Sequence, residues 1–240
     1  MISIIIPTLN EAKDIEKTFQ SLRELNICDY EIIVSDGRST DNTIELANKY
    51  GAKVVVYSGT KRQTISNARN LGASIAIGDV FVFLDADVTI PDINGFFKKT
   101  LDLFQKEVSL VALTVRLKIL PELETFADKF FLTFFAYINF LGNNVFGIGA
   151  GSGEFQMIRA ATFKKIKGYN ENIAVAEDVD IFQRLAKQGK TRIEMSLCIM
   201  QTGRRVHKVG WPKLLWQWSI NGFSVMFLKR SYNSVWEEIR

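Results

Sequence analysis

Two acids, Asp85 and Asp87, stand one residue apart at the end of an unbroken apolar run, Val80 to Leu84. An unpaired carboxylate is costly to bury, so a stretch that reads as core has to release both acids at its end. Two carboxylates at one edge suit Mg²⁺ or Mn²⁺, which take oxygen ligands and keep waters or phosphates in their shells. The alternative is a pair of solvated loop acids. Asp36 closes a second apolar run, EIIVSD. A carboxylate there can accept hydrogen bonds from a nucleobase or from ribose hydroxyls. Arg69, in ISNARNLG, pairs with phosphate if its helix faces the same edge; otherwise it is a solvated arginine. Thr40 and Asp41 read as caps of the following helix. Glu177 and Asp178 open a helix, where the dipole favours acids. An aspartate is already ionised near neutral pH, so Asp178 as a general base needs placement more than a shifted pKa.

The elements that must hold these residues follow from periodicity. Ile2 to Ile6, Glu31 to Val34, Lys53 to Tyr57 and Val80 to Leu84 are short, β-branched apolar runs, each predicting a buried strand. Helical spacing fills residues 11 to 26, the stretch after Asp41 as far as Gly51, and residues 61 to 77. Strand and helix in alternation predict a mostly parallel central sheet flanked by helices. Ligands of such sheets bind outside the carboxyl ends of the strands, where Asp36 and Asp85 stand. Further on, Pro91 opens a helix to about Gln105, and Val108 to Leu117 predicts a strand. Residues 121 to 142 and the stretch from Trp211 onward predict apolar helices, and AEDVDIFQRLAKQG predicts a helix from about Glu177 with Gly189 as its stop. The glycines of GIGAGSG, 147 to 153, either let backbone approach an acceptor or form a plain loop. No repeat or linker interrupts the chain, which is read as one domain.

Composition narrows the class. The 240 residues are 47% hydrophobic and 23% charged, a globular balance. Cys28 and Cys198 stand far apart, outside any metal spacing, which fits a reducing compartment. Met1 leads at once into a strand-like run, so no secretory leader is expected. GxGxxG, GxxxxGK[ST], HExxH and GxSxG are all absent. A dinucleotide oxidoreductase, a P-loop enzyme, a zincin and a Ser-His-Asp hydrolase are thereby disfavoured.

Four segments in order, ISIIIPTLNE, EIIVSDGRSTDNT, ARNLGASIAIGDVFVFLDADV and AEDVDIFQRLAKQGK, resemble the family-2 glycosyltransferases that use nucleotide-sugar donors on a GT-A fold. The resemblance covers about residues 1 to 190. It implies that Pro7, Thr8 and Glu11 contact the nucleotide, and that Asp36 recognises its base. It implies a place for Asp85 near the ribose or metal, with Ala86 beside it in the nucleotide site. Asp87 is implied as the ligand of a Mn²⁺ or Mg²⁺ ion bridging the diphosphate, and Asp178 as the base that deprotonates the acceptor in inverting members. The commoner family pattern has two acids before the glycine; here Asp36-Gly37-Arg38 keeps one, which leaves UDP and GDP donors both open. Gly153, Glu154 and Glu177 are read as acceptor-side residues. Past the family core, Arg204 and Arg205 in the basic loop GRRVHKVG are read as diphosphate partners, and His207, the only histidine, as a further metal ligand.

The expected organisation is a GT-A domain over residues 1–203, with a nucleotide-binding half to about 118 and an acceptor half after it. A basic, Trp-rich helical tail, 204–240, packs on it or extends it. The tail holds seven Lys/Arg against two Asp/Glu, while the remainder is nearly neutral. It also holds all four tryptophans, and seven of the 18 phenylalanines fall between residues 126 and 146. Trp among basic residues suits a membrane interface. The expectation is a cytoplasmic enzyme, peripheral on the anionic inner face of the cell membrane, whose acceptor is a polyprenyl phosphate or a lipid-linked sugar. Nucleic acid is not expected as a partner. Against this stand apolar helices that pack on each other or across a homodimer. A nucleotidyltransferase with the same carboxylates and a catalytically inactive nucleotide-sugar binder are the competing functions.

Overall fold

The computed structural model describes residues 1–233. Four strands carry the first half: β1 (Ile2–Thr8), β2 (Tyr30–Asp36), β3 (Lys53–Val56) and β4 (Val80–Leu84). Between them run α1 (Ile15–Arg23), α2 (Thr43–Lys49) and α3 (Ile65–Ser74), followed by α4 (Ile93–Lys106). The second half supplies β5 (Leu110–Ile119), α5 (Phe126–Phe140), β6 (Phe155–Arg159), α6 (Ala160–Lys165), α7 (Glu177–Ala186), β7 (Lys190–Gln201), α8 (Arg204–Val209) and α9 (Trp211–Leu228). All seven strands form one sheet in the order β3-β2-β1-β4-β6-β5-β7. The first four are parallel, β5 and β7 are parallel, and β6 runs antiparallel to both of its neighbours. The expected α/β sheet is present in a single domain.

Alternation explains why the central strands are buried on both faces. Ile4 and Ile6 turn to one side, where they pack with Ile15 and Phe19 of α1 and with Phe96 and Phe97 of α4. Ile5 turns to the other, among Ala73 of α3, Phe163 of α6 and Phe182 of α7. A third apolar cluster lies beneath α5 and α9, built from Ile119, Leu132, Trp211 and Leu214. Asp92 caps α4, its carboxylate accepting from the Gly95 N–H at 3.1 Å, one residue beyond the expected Pro91. The expected basic loop after Thr202 is instead the helix α8, entered through Gly203 at φ +70°.

Two strands escape the sequence reading. In β6, FQMIR, a fully buried Gln156 interrupts the apolar run. Its amide is satisfied by the Tyr169 hydroxyl and the Ser152 carbonyl. In β7 the pairing with β5 slips, Val115 facing Glu194 and the next residue, Arg116, facing Cys198. That bulge breaks the period-2 signal by which a strand is read.

Candidate active site

Because β1, β2 and β4 are parallel, their carboxyl ends reach the same edge of the sheet. Thr8 and Asp36 are register partners there. The Asp36 carboxylate accepts from Thr8 Oγ1 at 2.7 Å, Ser39 N–H at 2.7 Å and Ser39 Oγ at 2.6 Å. It is fully buried, and it ties together the loops that leave the two strands. Asp36 is therefore not presented to a base in this arrangement; the surface above it belongs to Pro7, Thr8, Glu11 and Gly37, which line the main cavity. Asp41 accepts from Thr43 and from the Ala12 N–H, holding the same turn.

Asp85 and Asp87 lie just past the end of β4, half-buried, on the wall of a cavity of about 740 Å³. Ala86 between them is buried, its carbonyl accepting from Thr18 Oγ1 at 2.7 Å. Arg204 of α8 crosses to this edge. Its guanidinium pairs with Glu11 at 2.9 Å, Asp14 at 3.2 Å and Asp87 at 3.4 Å. Burial pushes the Asp87 carboxyl up, and Arg204 opposes the shift.

Arg69, expected to meet phosphate, is 1% exposed. It donates to Glu177 at 2.7 Å, to the Gly153 carbonyl at 2.7 Å and to Asp85 at 3.2 Å, and lies over the Tyr169 ring. Burial works against its charge, but Tyr169 and the acids Asp85, Glu177 and Asp178 outweigh that and raise its pKa. Arg69 is thus an internal tie between the end of β4, the loop before β6 and the start of α7.

Asp178 sits in the first turn of α7 and lines the cavity beside Gly153, Glu154 and Glu177. Ala176 starts that helix in the left-handed region, φ +63°, a conformation costing roughly 1–2 kcal/mol for a residue with a Cβ. Burial, then the charges of Glu177 and Glu154, push Asp178 from its ordinary 3.8 to about 8. Burial and Asp85 likewise push Glu154 up to about 7. Both carboxyls thus exchange their protons near neutral pH, well above the ordinary carboxylate range.

His207 turns away from the acids of β4. Its Nε2 lies 2.9 Å from Asp128 of α5, whose carboxylate also accepts from Trp211 Nε1 at 2.8 Å. The ring is committed to that clamp rather than to a metal at Asp87. Arg205 lines the cavity. The glycine cluster is required mainly by packing: a Cβ at Gly149 would fall 2.2 Å from the Phe182 carbonyl oxygen, and one at Gly151 2.5 Å from its ring. Sequence reading missed Asp14, Gln156, Tyr169 and the Asp128–Trp211 pair; none carries a local signal, since each acts through a partner distant in the chain.

Residues 3–166 match the model of glycosyl transferase family 2. The chain belongs to that family. It is 28% identical over 200 residues to the succinoglycan biosynthesis protein ExoA of Rhizobium meliloti, covering 78% of this chain and 58% of that protein. It is 41% identical over 95 residues to the dolichol-phosphate mannosyltransferase of Pyrococcus furiosus, covering 38% of this chain and 26% of the other. The chain thus spans less than two thirds of either relative. Among solved structures, the mannosyltransferase PcManGT of Pyrobaculum calidifontis, in complex with GDP-Man and Mn²⁺, superposes with a TM-score of 0.71 at 17% identity, over 95% of this chain and 63% of that one. The glucosyl-3-phosphoglycerate synthase of Mycobacterium tuberculosis, in complex with Mn²⁺, UDP and glucosyl-3-phosphoglycerate, gives 0.61 at 19% identity over 95% and 79%. These two establish the shared GT-A fold.

Among the described residues no three His, Cys, Asp or Glu side chains are grouped to hold an ion unaided. Mg²⁺ and Mn²⁺ at diphosphate sites need less, taking one or two carboxylates and completing their shells with phosphate and water. Asp85 and Asp87 supply such a pair, and Arg204 already places positive charge against Asp87. The donor set of this family-2 chain fits a divalent cation.

Proposed function

We propose that the protein is a metal-dependent, inverting glycosyltransferase that moves a sugar from a UDP- or GDP-linked donor to a lipid-linked acceptor at a membrane surface. The observation that carries this reading is one cavity lined by both Asp85 and Asp87 at one strand end and by Asp178 at a helix start. The end of β1 and its loop, with Pro7, Thr8 and Glu11, and Gly37 after β2 receive the nucleotide. Asp85 and Asp87 would hold Mn²⁺ or Mg²⁺, which stabilises charge on the departing diphosphate. Arg204 and Arg205 lie on the same wall and pair with phosphate. Asp178 takes the acceptor proton as the acceptor oxygen bonds to the anomeric carbon. The bond from that carbon to the diphosphate breaks, and its electron pair leaves with the nucleoside diphosphate. Attack from the face opposite the leaving group inverts the centre. Arg69 holds Glu177 and Asp85 at fixed separation, and so orients both ends of this line.

Product analysis tests the reading. Incubation with UDP- and GDP-sugars, Mn²⁺ and a prenyl phosphate should release nucleoside diphosphate and a glycosylated lipid of inverted configuration. Release of sugar 1-phosphate with a nucleotide left on the product would identify a nucleotidyltransferase, and donor binding without turnover an inactive binder.

A further inference from the structure

The cavity does not end at the carboxylates. It continues between α5 and α9, where Leu132, Phe135 and Ala136 line one wall and Leu214, Trp218 and Gly222 the other. No Asp, Glu, Lys or Arg of either helix lines it. Ile138 belongs to the lining and is also 43% exposed, beside the exposed Phe134, Tyr137 and Leu141 of the same helix. The apolar arm therefore opens on the exposed apolar face of α5 and leads inward to Asp178. Its inner end is fixed by the Asp128 clamp and by ring contacts, Phe131 on Trp211 at 4.8 Å and Phe135 on Trp218 at 5.3 Å. At Gly222 the space is open: a Cβ built there meets nothing within 4 Å.

Resting on the transferase reading above, we infer that this arm holds the single hydrocarbon chain of the acceptor, with the acceptor's reactive oxygen delivered to Asp178 and its chain running out past Ile138. The polar side chains of the two helices that line it are Asn139, Ser219 and Asn221, and Asn221 is already paired with the Gln217 carbonyl and the Asn233 N–H; a channel with no charge along it holds no counterion for a phosphate, whereas each methylene moved into it from water is favoured. Continuity with the carboxylate site gives the chain a reason to be there, because a head group placed at Asp178 leaves its tail in the arm. The exposed apolar stripe of α5 gives the tail a way in.

The test uses monophosphates of prenyl alcohols with one, two and three isoprene units, soluble below micelle formation, titrated calorimetrically into the full chain with Mn²⁺ and UDP or GDP. Affinity should rise at least about tenfold per added unit, since full burial of five carbons would give several hundredfold. Gly222→Phe places a ring in the open space and should abolish that rise while nucleotide affinity stays unchanged, which also certifies its fold. Gly222→Ala, filling little, should keep the rise. n-Alkyl phosphates of equal carbon number separate an isoprenoid preference from a general hydrocarbon groove; either pattern supports the groove. Affinity independent of chain length in the wild type, or a rise surviving in Gly222→Phe, overturns it. Turnover on water-soluble acceptors with no chain-length effect would remove the groove and leave the transferase. Chain-length dependence without any nucleotide binding would do the reverse.

Discussion

Asp85, Asp87, Glu154, Glu177 and Asp178 share one cavity wall with Arg69 and Arg204. Like charges so close cannot all ionise without cost, and the protein accepts that at its site. As the proposed base, Asp178 has to be deprotonated, so kcat/KM should climb with pH and level off above about 8. Asp178→Asn should lower turnover by roughly 10²–10⁴-fold, keep nucleotide affinity, and flatten that profile. An unchanged profile would make Asp178 a helix-start residue only. Stability should run the other way. Glu154 and Asp178 keep their protons when folded, at pH values where the unfolded chain has lost them. Their contribution is complete below about pH 4 and is lost as pH climbs through about 7 and about 8. Glu154→Gln should therefore match the wild type in Tm at pH 4 without metal and exceed it at pH 9, by a few degrees. Arg69 is the counterweight. Arg69→Met strands buried acids and should cost about 3–5 kcal/mol in urea unfolding. At this scale the sequence shows residue types at strand ends and helix starts, which suffices to single out Asp85, Asp87 and Asp178, now found lining one cavity. It hides who is satisfied by whom: Asp36 resembles a ligand-binding acid until Thr8 and Ser39 are found filling its carboxylate.

Among elements, the legible ones have undisturbed periods. The strands β1, β2, β3 and β4 alternate with helices on schedule, and their parallel pairing follows from that order. What hid β6 was a buried glutamine, and what hid β7 was a bulge; both are tertiary arrangements invisible to local pattern. The join between α5 and the last helices is of the same kind. Thr125 and Asp128 form a capping box at the start of α5, a local signal. Yet Asp128 also accepts from His207 and Trp211, 79 and 83 residues on. Removing it leaves an indole N–H and a cap unpaired at a buried position. Asp128→Ala should cost about 2–3 kcal/mol and speed proteolysis within α8 and α9 ahead of the sheet. Equal cleavage rates throughout would mean that the clamp contributes nothing to docking these helices.

For the whole molecule, the decisive feature is where apolar surface is left outside. Phe126, Phe130, Phe134, Tyr137 and Leu141 recur at spacings of three and four, so they form one exposed stripe along α5 and the π-helical turn that continues it (Leu141–Val145). Trp216, Phe223 and Phe227 form another on α9. Exposed lysines and an arginine accompany them: Lys129, Lys208, Lys213, Lys229 and Arg230. Among the described residues no helix is long and apolar enough to cross a membrane; Trp236 lies outside those residues. Such stripes suit a helix pair lying in the lipid interface, with each basic residue near anionic headgroups adding about 1 kcal/mol. Composition alone pointed to these segments but not to which of their side chains are exposed. Trp211 and Trp218 are packed in the third cluster, whereas Trp216 is 69% exposed. Replacing Trp218 would therefore damage the fold rather than report on lipid contact. The discriminating variant is Trp216→Ala, Phe223→Ala and Phe227→Ala together, which removes exposed rings and no core contact to the sheet. In flotation with liposomes containing phosphatidylserine, the wild type should rise with the vesicles, more at higher anionic fraction and less at 0.5 M salt, on the order of a Debye-screened interaction. The triple variant should lose at least tenfold in partitioning while its Tm and nucleotide affinity hold. A wild type that stays in the soluble fraction with anionic vesicles would assign the stripes to protein contact instead.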